Sequence, residues 1–562
     1  MAEHIFIGVA WPYANGPLHL GHLAGPYLAA DVFARYHRLR GDRVLMVSGS
    51  DQHGTPTTLQ AEAEGVKPEE MVAKYHASFL DCWERMGISF DLFTTTGTDN
   101  HRQVVHDMFR RLHEGGYIYK GVMKVAYSPD FQRYLPDRYV QGTCPHCGNS
   151  DARGDQCDEC GKILDPVELL TPGYRHDGQV YPIEVRDTDH LFLRLSAFQE
   201  QLEQWVSDKG HWRPNVRNFT AGYLREGLRD RAISRDIEWG VPIPLEGFEE
   251  KRIYVWFEAV MGYLSASKEW AAKGGDAEAW RPFWQGDDAR AYYFLGKDNI
   301  AFHTLIWPSI LLGYGGLNLP YDVPANEFLT LEGRQFSTSR NWAVWLPDYL
   351  DQFPPDPLRY HLCANMPEFG DADFSWSEYV RRNNDELVAT YGNLAHRVLN
   401  LVHRNFDGRI PDPGDLGPAD QEMVQATDSA LERVGASLAA CRFREAVQRF
   451  MGLARDANRY LDGQAPWRQA REDREAAART LHTALYAISG LSVMTWPILP
   501  FSSERLREML GFAGSVEQGG WTIERPQPGT PIPPPATLFT KLDDSVAEEQ
   551  SAKLGHDSTG LS

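Results

Sequence analysis

The chain has 562 residues, 42% hydrophobic and 24% charged, with a formal net charge of −21. That length exceeds a single hydrophobic core and predicts two to four domains. The acidic balance excludes a protein that coats DNA, although one specific RNA can still be met by a local basic stripe. No apolar run approaches the ~20 residues of a membrane span. The first residues, MAEHIFIGVAWPYANG, carry no basic leader segment, so the expected compartment is the cytoplasm.

Residues 5–10 read as a strand, and "PYANGPLHLGH" follows it. Residues 20–39 have helical periodicity, and residues 43–47 form a second apolar run leading into "SGSDQHGTPT". This is the opening of a doubly wound α/β domain, in which ligands collect at the carboxyl ends of strands. His19 and His22 sit three apart at the strand–turn–helix junction and project from one helix face. A helix N-terminus attracts anions, and two imidazoles there can donate to phosphates as charge builds. Asn15-Gly16-Pro17 supplies the tight turn. The alternative is a pair of solvated helix-surface histidines. Asp51, after the second strand, can hold an ammonium group or simply order a turn.

Four of the seven cysteines fall within seventeen residues, as C144-P-H-C147 and C157-D-E-C160. Two C-x₂-C hooks, nine residues apart and each followed by glycine (Gly148, Gly161), suit one tetrahedral, structural Zn²⁺. Disulfides are the weaker reading in a reducing compartment. Residues 253–257 and 292–295 read as strands, so the sheet is expected to resume after this insertion.

"YVWFEAVMGY" spaces Trp256, Ala259 and Tyr263 at about one helical turn, and "FLGKDNIAFH" adds Asn299 and His303. An apolar pocket with a few polar groups suits a small hydrophobic amino acid, but such a stripe is equally plain core. "EGRQFSTSRNW" is a Gly-led, hydroxyl-rich loop with Arg334 and Arg340 flanking Ser337, Thr338 and Ser339. It can close over phosphates or be a surface turn. Residues 383–405, 420–435, 440–464 and 468–496 carry apolar positions at i, i+3, i+4 and predict a helical bundle. The Pro-rich segment beyond Arg525 is expected to be partly disordered.

Taken together, PYANGPLHLGH, SDQHGT, the paired C-x₂-C hooks, WFEAVMGY, LGKDNIAFH, the hydroxyl-rich loop and the bundle resemble the methionyl-tRNA synthetases, a family of class I aminoacyl-tRNA synthetases, over residues 4–525. The resemblance implies a Rossmann-type catalytic domain in two halves, 1–116 and 231–325. A connective insertion, 117–230, separates them and carries a zinc knuckle at 143–162. A loop and stem-contact region (326–380), an all-α anticodon-binding domain (381–525) and a Pro-rich tail (526–562) would follow. The implied reaction joins L-methionine to tRNA(Met) through methionyl-adenylate, with ATP and Mg²⁺ as substrate and one structural Zn²⁺.

By the same resemblance, His19, Gly21 and His22 of the HIGH element hold ATP phosphates, with Lys297, Asp298 and Arg235 around ATP or the adenylate. Trp11, Tyr13, Asp51, Trp256, Ala259, Tyr263, Asn299 and His303 line the methionine site. Asn393, Arg397 and Trp467 read the CAU anticodon. Related isoleucyl, valyl and leucyl enzymes carry a large editing insertion, for which the stretch from Asp51 to Trp256 has no room. No DNA or membrane partner is implied, and the short tail predicts a monomer. Trp11 and Asn299 stand where the family often has leucine and an aliphatic residue. Both lysines of the family's KMSKS loop are missing, with Gln335-Phe336-Ser337-Thr338-Ser339 in their place. This departure leaves two other readings: a catalytically weak paralogue that binds tRNA, or a ligase that activates an amino acid without tRNA. Arg334 and Arg340 would otherwise supply the cation that the loop lacks.

Overall fold

Successive apolar residues of His4–Val9 (β1) go to two different cores, because side chains alternate between the faces of a strand. Ile5, Ile7 and Val9 join the core shared with the C-terminal helices, and Phe6 joins the core on the opposite face. This strand lies at the centre of a five-stranded, all-parallel sheet. Arg43–Ser50 (β2) and Leu92–Thr95 (β3) extend it on one side, and Ala289–Gly296 (β4) and Ala325–Asn326 (β5) on the other, in the order β5-β4-β1-β2-β3. Strands covered on both faces read as continuous apolar runs, as the sequence of β4 does. Strand order reverses beside β1, and the crevice at that carboxyl edge is the ligand position of a doubly wound sheet. The computed structural model describes residues 2–338 and 340–555, apart from 155, 156, 158, 161, 163 and 177. No helix among the described residues is long and apolar enough to cross a membrane.

The helix after β1 runs unbroken through Leu20–His22, Leu23–Tyr27 and Leu28–Leu39, with its middle segment widened to π geometry. Pro26 lies in that segment. Lacking an N–H, it forfeits one ladder bond, and the wider turn absorbs the gap. Residues 253–257 differ from the strand expected there. Only Arg252–Ile253 pairs, antiparallel with Ser234–Arg235, and Val255–Ala259 is helical. The apolar run is short and buried, a pattern in which periodicity alone does not separate strand from helix.

The insertion is built on one long antiparallel ladder, Ile118–Ser128 against Glu184–Leu193. Between these strands a small four-stranded sheet carries the cysteine hooks, and Cys144 and Cys157 pack with Tyr139, Val140 and Tyr174. The bundle comprises Asn393–Asn405, Pro418–Ala439, Phe443–Gln464, Pro466–Glu472 and Arg474–Thr495, close to the expected periodic segments.

Residues 526–555 of the tail lie against the rest of the chain, and residues 556–562, at the polar end expected to be disordered, lie outside the described residues. Ile410 N–H donates to Thr530 O at 2.9 Å, and Leu542 N–H to Asn384 Oδ1 at 2.9 Å. Ile532, Leu538, Phe539 and Leu554 are buried. A Pro-rich strand needs no internal hydrogen bonds and can lie along a surface if apolar residues and side-chain amides anchor it.

Arg359, on the helix Pro355–Ala364, is fully buried and ties three regions together. Its guanidinium donates to Asp31 Oδ2 at 2.6 Å, Ile498 O at 2.8 Å, Pro497 O at 2.9 Å and Met86 O at 3.2 Å. Burial alone would raise Asp31, but Arg35 and Arg359 hold its carboxyl at about 2. Replacing Arg359 with Ala leaves Asp31 paired with Arg35 and Ser89 only and takes the guanidinium donor from the three buried carbonyls, and stability should fall by about 3–5 kcal/mol, read as a lower urea midpoint. An unchanged midpoint would refute this role.

Candidate active site and associated sites

The HIGH element sits at the carboxyl end of β1. Gly21 N–H donates to His19 Nδ1 and His19 N–H to His22 Nδ1, both at 3.1 Å. Burial, and for His19 the facing His22 ring, lower both pKa values, that of His22 to about 4. Both imidazoles are thus neutral at pH 7. Because each Nδ1 accepts, each proton resides on Nε2, leaving two N–H donors side by side with ring centroids 3.8 Å apart.

The hydroxyl-rich loop lies over this pair. Leu20 N–H bonds Val344 O at 3.1 Å and Leu346 N–H bonds Leu18 O at 2.7 Å, zipping the loop's return segment to the HIGH turn. Phe336 stacks on His19, centroids 4.8 Å apart and planes within 12°. Arg334 covers the Trp342 ring at 4.8 Å, and Arg340 Nε donates to Ser337 Oγ at 3.2 Å. Both arginines and Thr338 are exposed; Ser339 lies outside the described residues. Phe336, Trp342 and Trp345, whose ring meets His19 edge-on at 6.0 Å, were not legible as site residues, because nothing in the sequence pairs residue 19 with residues 336–345.

The amino-acid pocket forms where the segments after β1 and β2 meet. Asp51 N–H donates to Pro12 O at 2.7 Å and Ala14 N–H to Asp51 O at 2.9 Å, so Tyr13 and Asp51 lie side by side. Trp256 meets Tyr13 edge-on at 6.2 Å and stacks on Phe302 at 4.3 Å. Phe302 is a wall that the sequence reading missed. His303 Nδ1 donates to Asn299 O at 2.9 Å, so its Nε2 accepts the Tyr263 hydroxyl proton at 2.7 Å. Burial lowers His303 to about 4, keeping it neutral. Trp11 fits because two neighbours lack side chains: a Cβ on Gly49 would come within 2.3 Å of its ring, and one on Gly262 within 2.7 Å. Ala259 is half-buried on the same short helix as Trp256.

Three residues expected around ATP are placed less centrally. Lys297 is bound to Glu327 at 2.8 Å and Asp371 at 2.9 Å, and Asp298 beside it is exposed. Arg235 pairs with Asp137 of the insertion at 2.9 Å and covers Tyr254 at 3.8 Å. It lines a cavity of about 180 Å³ that reaches Trp256 and Phe302.

The four cysteine Sγ atoms lie within 4.8 Å of one another. Cys144–Cys160 and Cys147–Cys157 are 4.0 and 3.5 Å apart, bracketing the ~3.8 Å edge of a tetrahedron with Zn–S bonds of ~2.3 Å. The donor set fits one closed Zn²⁺ site that would cross-link the insertion. In the bundle, Arg397 covers Trp467 at 5.6 Å and binds Asp462 at 2.7 Å. Asn393 is exposed one turn earlier on the same helix, and Trp467 is 38% exposed. The three expected anticodon residues therefore share one surface.

A family profile described as tRNA synthetases class I (M) matches residues 5–399, and one described as anticodon binding domain of methionyl tRNA ligase matches residues 410–558. The chain is 56% identical over 555 residues to a methionine–tRNA ligase of Dehalococcoides mccartyi, covering 99% of this chain and 100% of that one. Identity to the methionine–tRNA ligase of Roseiflexus castenholzii is 51%, over 99% of both. The Mycobacterium tuberculosis methionyl-tRNA synthetase in complex with methionyl-adenylate superposes with a TM-score of 0.81 at 28% identity, over 96% of this chain and 99% of that one.

The purified protein should carry one zinc ion per chain, measured by elemental analysis. Cys157→Ser should lose the metal and expose the insertion to protease while the bundle keeps its helical circular dichroism. A freshly purified, active sample free of zinc would overturn the assignment.

Proposed function

The chain belongs to the methionyl-tRNA synthetases, class I aminoacyl-tRNA synthetases, and on that premise we propose how its residues carry out methionine–tRNA ligation. In the first step a methionine carboxylate oxygen attacks the α-phosphorus of ATP, giving methionyl-adenylate as pyrophosphate leaves. In the second, a ribose hydroxyl of the 3′-terminal adenosine of tRNA(Met) attacks the adenylate carbonyl, giving methionyl-tRNA and AMP.

Asp51 takes the substrate ammonium, and the thioether lies among Trp11, Tyr13, Trp256, Ala259, Tyr263 and His303. A flexible, polarizable side chain suits aromatic walls. His19 and His22 donate from Nε2 to phosphate oxygens, and Mg²⁺ arriving with ATP shares the charge. The observation that carries this reading is the pair of neutral, pre-aimed Nε2–H donors beneath a loop that stacks on one of them. Arg334 and Arg340, which form no ion pair among the described residues, replace the missing lysines as the loop's cations. In the bundle, Trp467 stacks an unpaired anticodon base and Asn393 and Arg397 bind base edges. The protein acts as a cytoplasmic monomer in this reading.

Methionine-dependent ATP–pyrophosphate exchange followed by tRNA charging tests the function. Exchange without charging would mark a tRNA-independent ligase, and tRNA binding without exchange a non-catalytic paralogue.

For the loop, Arg334→Ala or Arg340→Ala should slow adenylate formation by ~100-fold, about 2.7 kcal/mol, with methionine affinity unchanged. Wild-type rates in both variants, with a large acceleration in Thr338→Lys, would mean a degenerate loop instead.

For the anticodon face, Trp467→Ala should cost ~1–3 kcal/mol in tRNA charging and leave exchange nearly intact. Equal losses in both reactions would make Trp467 a fold residue.

A further inference from the structure

Behind the amino-acid pocket lies a carboxylate that the two reaction steps do not use. Glu258 is fully buried with both oxygens engaged, Oε1 by His53 Nδ1 at 2.7 Å and Oε2 by His101 Nε2 at 2.5 Å. His101 Nδ1 lies 2.9 Å from Ser265 Oγ, and the Ser265 hydroxyl donates its proton to Gly262 O at 3.0 Å. His101 is thus held at both ring nitrogens, and Glu258 is buried against two imidazoles rather than alone, which is how a carboxylate survives complete burial.

His53 is the link to the pocket. Its backbone N–H donates to Asp51 Oδ1 at 3.2 Å. Thr96 Oγ1 accepts Gln52 N–H at 3.0 Å and donates to the same Asp51 oxygen at 3.4 Å, and Trp239 Nε1–H holds Gln52 O at 2.6 Å. The turn 51–53, which aims Asp51, is fixed at each residue, and the tie that crosses to the opposite wall ends on Glu258. Glu258 itself lies between Trp256 and Ala259 on Val255–Ala259. The electrostatics agree with a compensated cluster. Burial would raise Glu258, yet His53 and His101 hold it at about 2. Burial and the Glu258 charge both raise Asp51, against the pull of His53.

We propose that Glu258 is a positioning residue for the amino-acid substrate. Through His53 it fixes the ammonium anchor Asp51, and through its own helix it fixes the Trp256–Ala259 wall. One buried carboxylate thus keeps the two ends of the substrate in register. The proposal rests on the reading of Asp51 as that anchor.

Its test is ATP–pyrophosphate exchange at varied methionine and varied ATP for the full chain and for Asp51→Asn, Glu258→Gln, Glu258→Asp and Ser265→Ala. Glutamine keeps the size but offers one acceptor oxygen to two imidazoles. Glu258→Gln should raise KM for methionine at least tenfold, with KM for ATP within twofold and kcat within fivefold. Glu258→Asp, which keeps both acceptors, should recover most of that loss. Ser265→Ala, a milder change, should raise KM for methionine alone by about threefold, and it decides the matter if Glu258→Gln does not fold. A methionine KM unchanged in Glu258→Gln, or a parallel rise in KM for ATP, would overturn the role of Glu258 while a raised KM in Asp51→Asn kept the pocket reading. An unchanged KM in Asp51→Asn would remove the anchor and this proposal with it.

Discussion

A guanidinium with no access to water, Arg359, joins the first helix of the catalytic sheet to the last helices of the bundle. Such a group is tolerated only because each of its nitrogens meets an oxygen and one of those oxygens belongs to the buried carboxylate Asp31. Asp31 lies nine residues beyond His22 on the same continuous helix, about 14 Å along its axis. The pose of the HIGH element relative to the bundle is therefore set by this knot and by the apolar core that surrounds it. The parallel sheet and the helical bundle share one packed core.

Within that frame the phosphate site is assembled by aromatic contact more than by charge. With no lysine between Lys297 and Lys541, the loop over the HIGH element is placed by Phe336 on His19, by Trp342 Nε1–H on Leu331 O at 2.9 Å, and by backbone bonds to residues 18–20. The tail reaches the same region, where Gly555 N–H meets Asn341 O at 3.1 Å. Stacking fixes where the loop lies without supplying positive charge, and the cationic side chains of the loop are the exposed arginines at its two ends, Arg334 and Arg340.

The amino-acid pocket follows a different logic. Its walls come from five places in the chain: the turns after β1 and β2, the Val255–Ala259 helix, the start of the Gly262–Lys273 helix that carries Tyr263, and the helix after β4. Close approach depends on absent side chains, since Trp11 occupies space that any larger residue at 49 or 262 would take. Polar groups behind the walls partner one another, Tyr263 with His303 and Glu258 with His53 and His101, which leaves Asp51 as the buried carboxylate beside the aromatic walls.

What was legible in the sequence was whatever is encoded by local spacing. Continuous apolar runs marked β1, β2 and β4, and period-3.6 patterns marked the helix at residues 20–39 and the bundle helices to within a few residues. Two C-x₂-C hooks specified four converging thiolates, because hook geometry needs only a turn. The motifs of the resembled family pointed to Trp11, Tyr13, Asp51, Tyr263 and His303, of which the fold sets Tyr13 beside Asp51, Trp11 against Tyr263 and Tyr263 on His303. Local pattern could not say that residues 255–259 are helical, that the Pro-rich tail is anchored by Asn383 and Asn384, or that Lys297 is bound to Glu327 and Asp371. Nor could it pair His19 with Phe336 or Glu258 with His53 and His101, separated by 317, 205 and 157 positions. The sequence by itself determined the elements, the metal hooks and the chemistry available. The tertiary structure decided which distant groups share a buried space, because hydrogen-bond partners and charge compensation are fixed only when the faces that carry them are packed together.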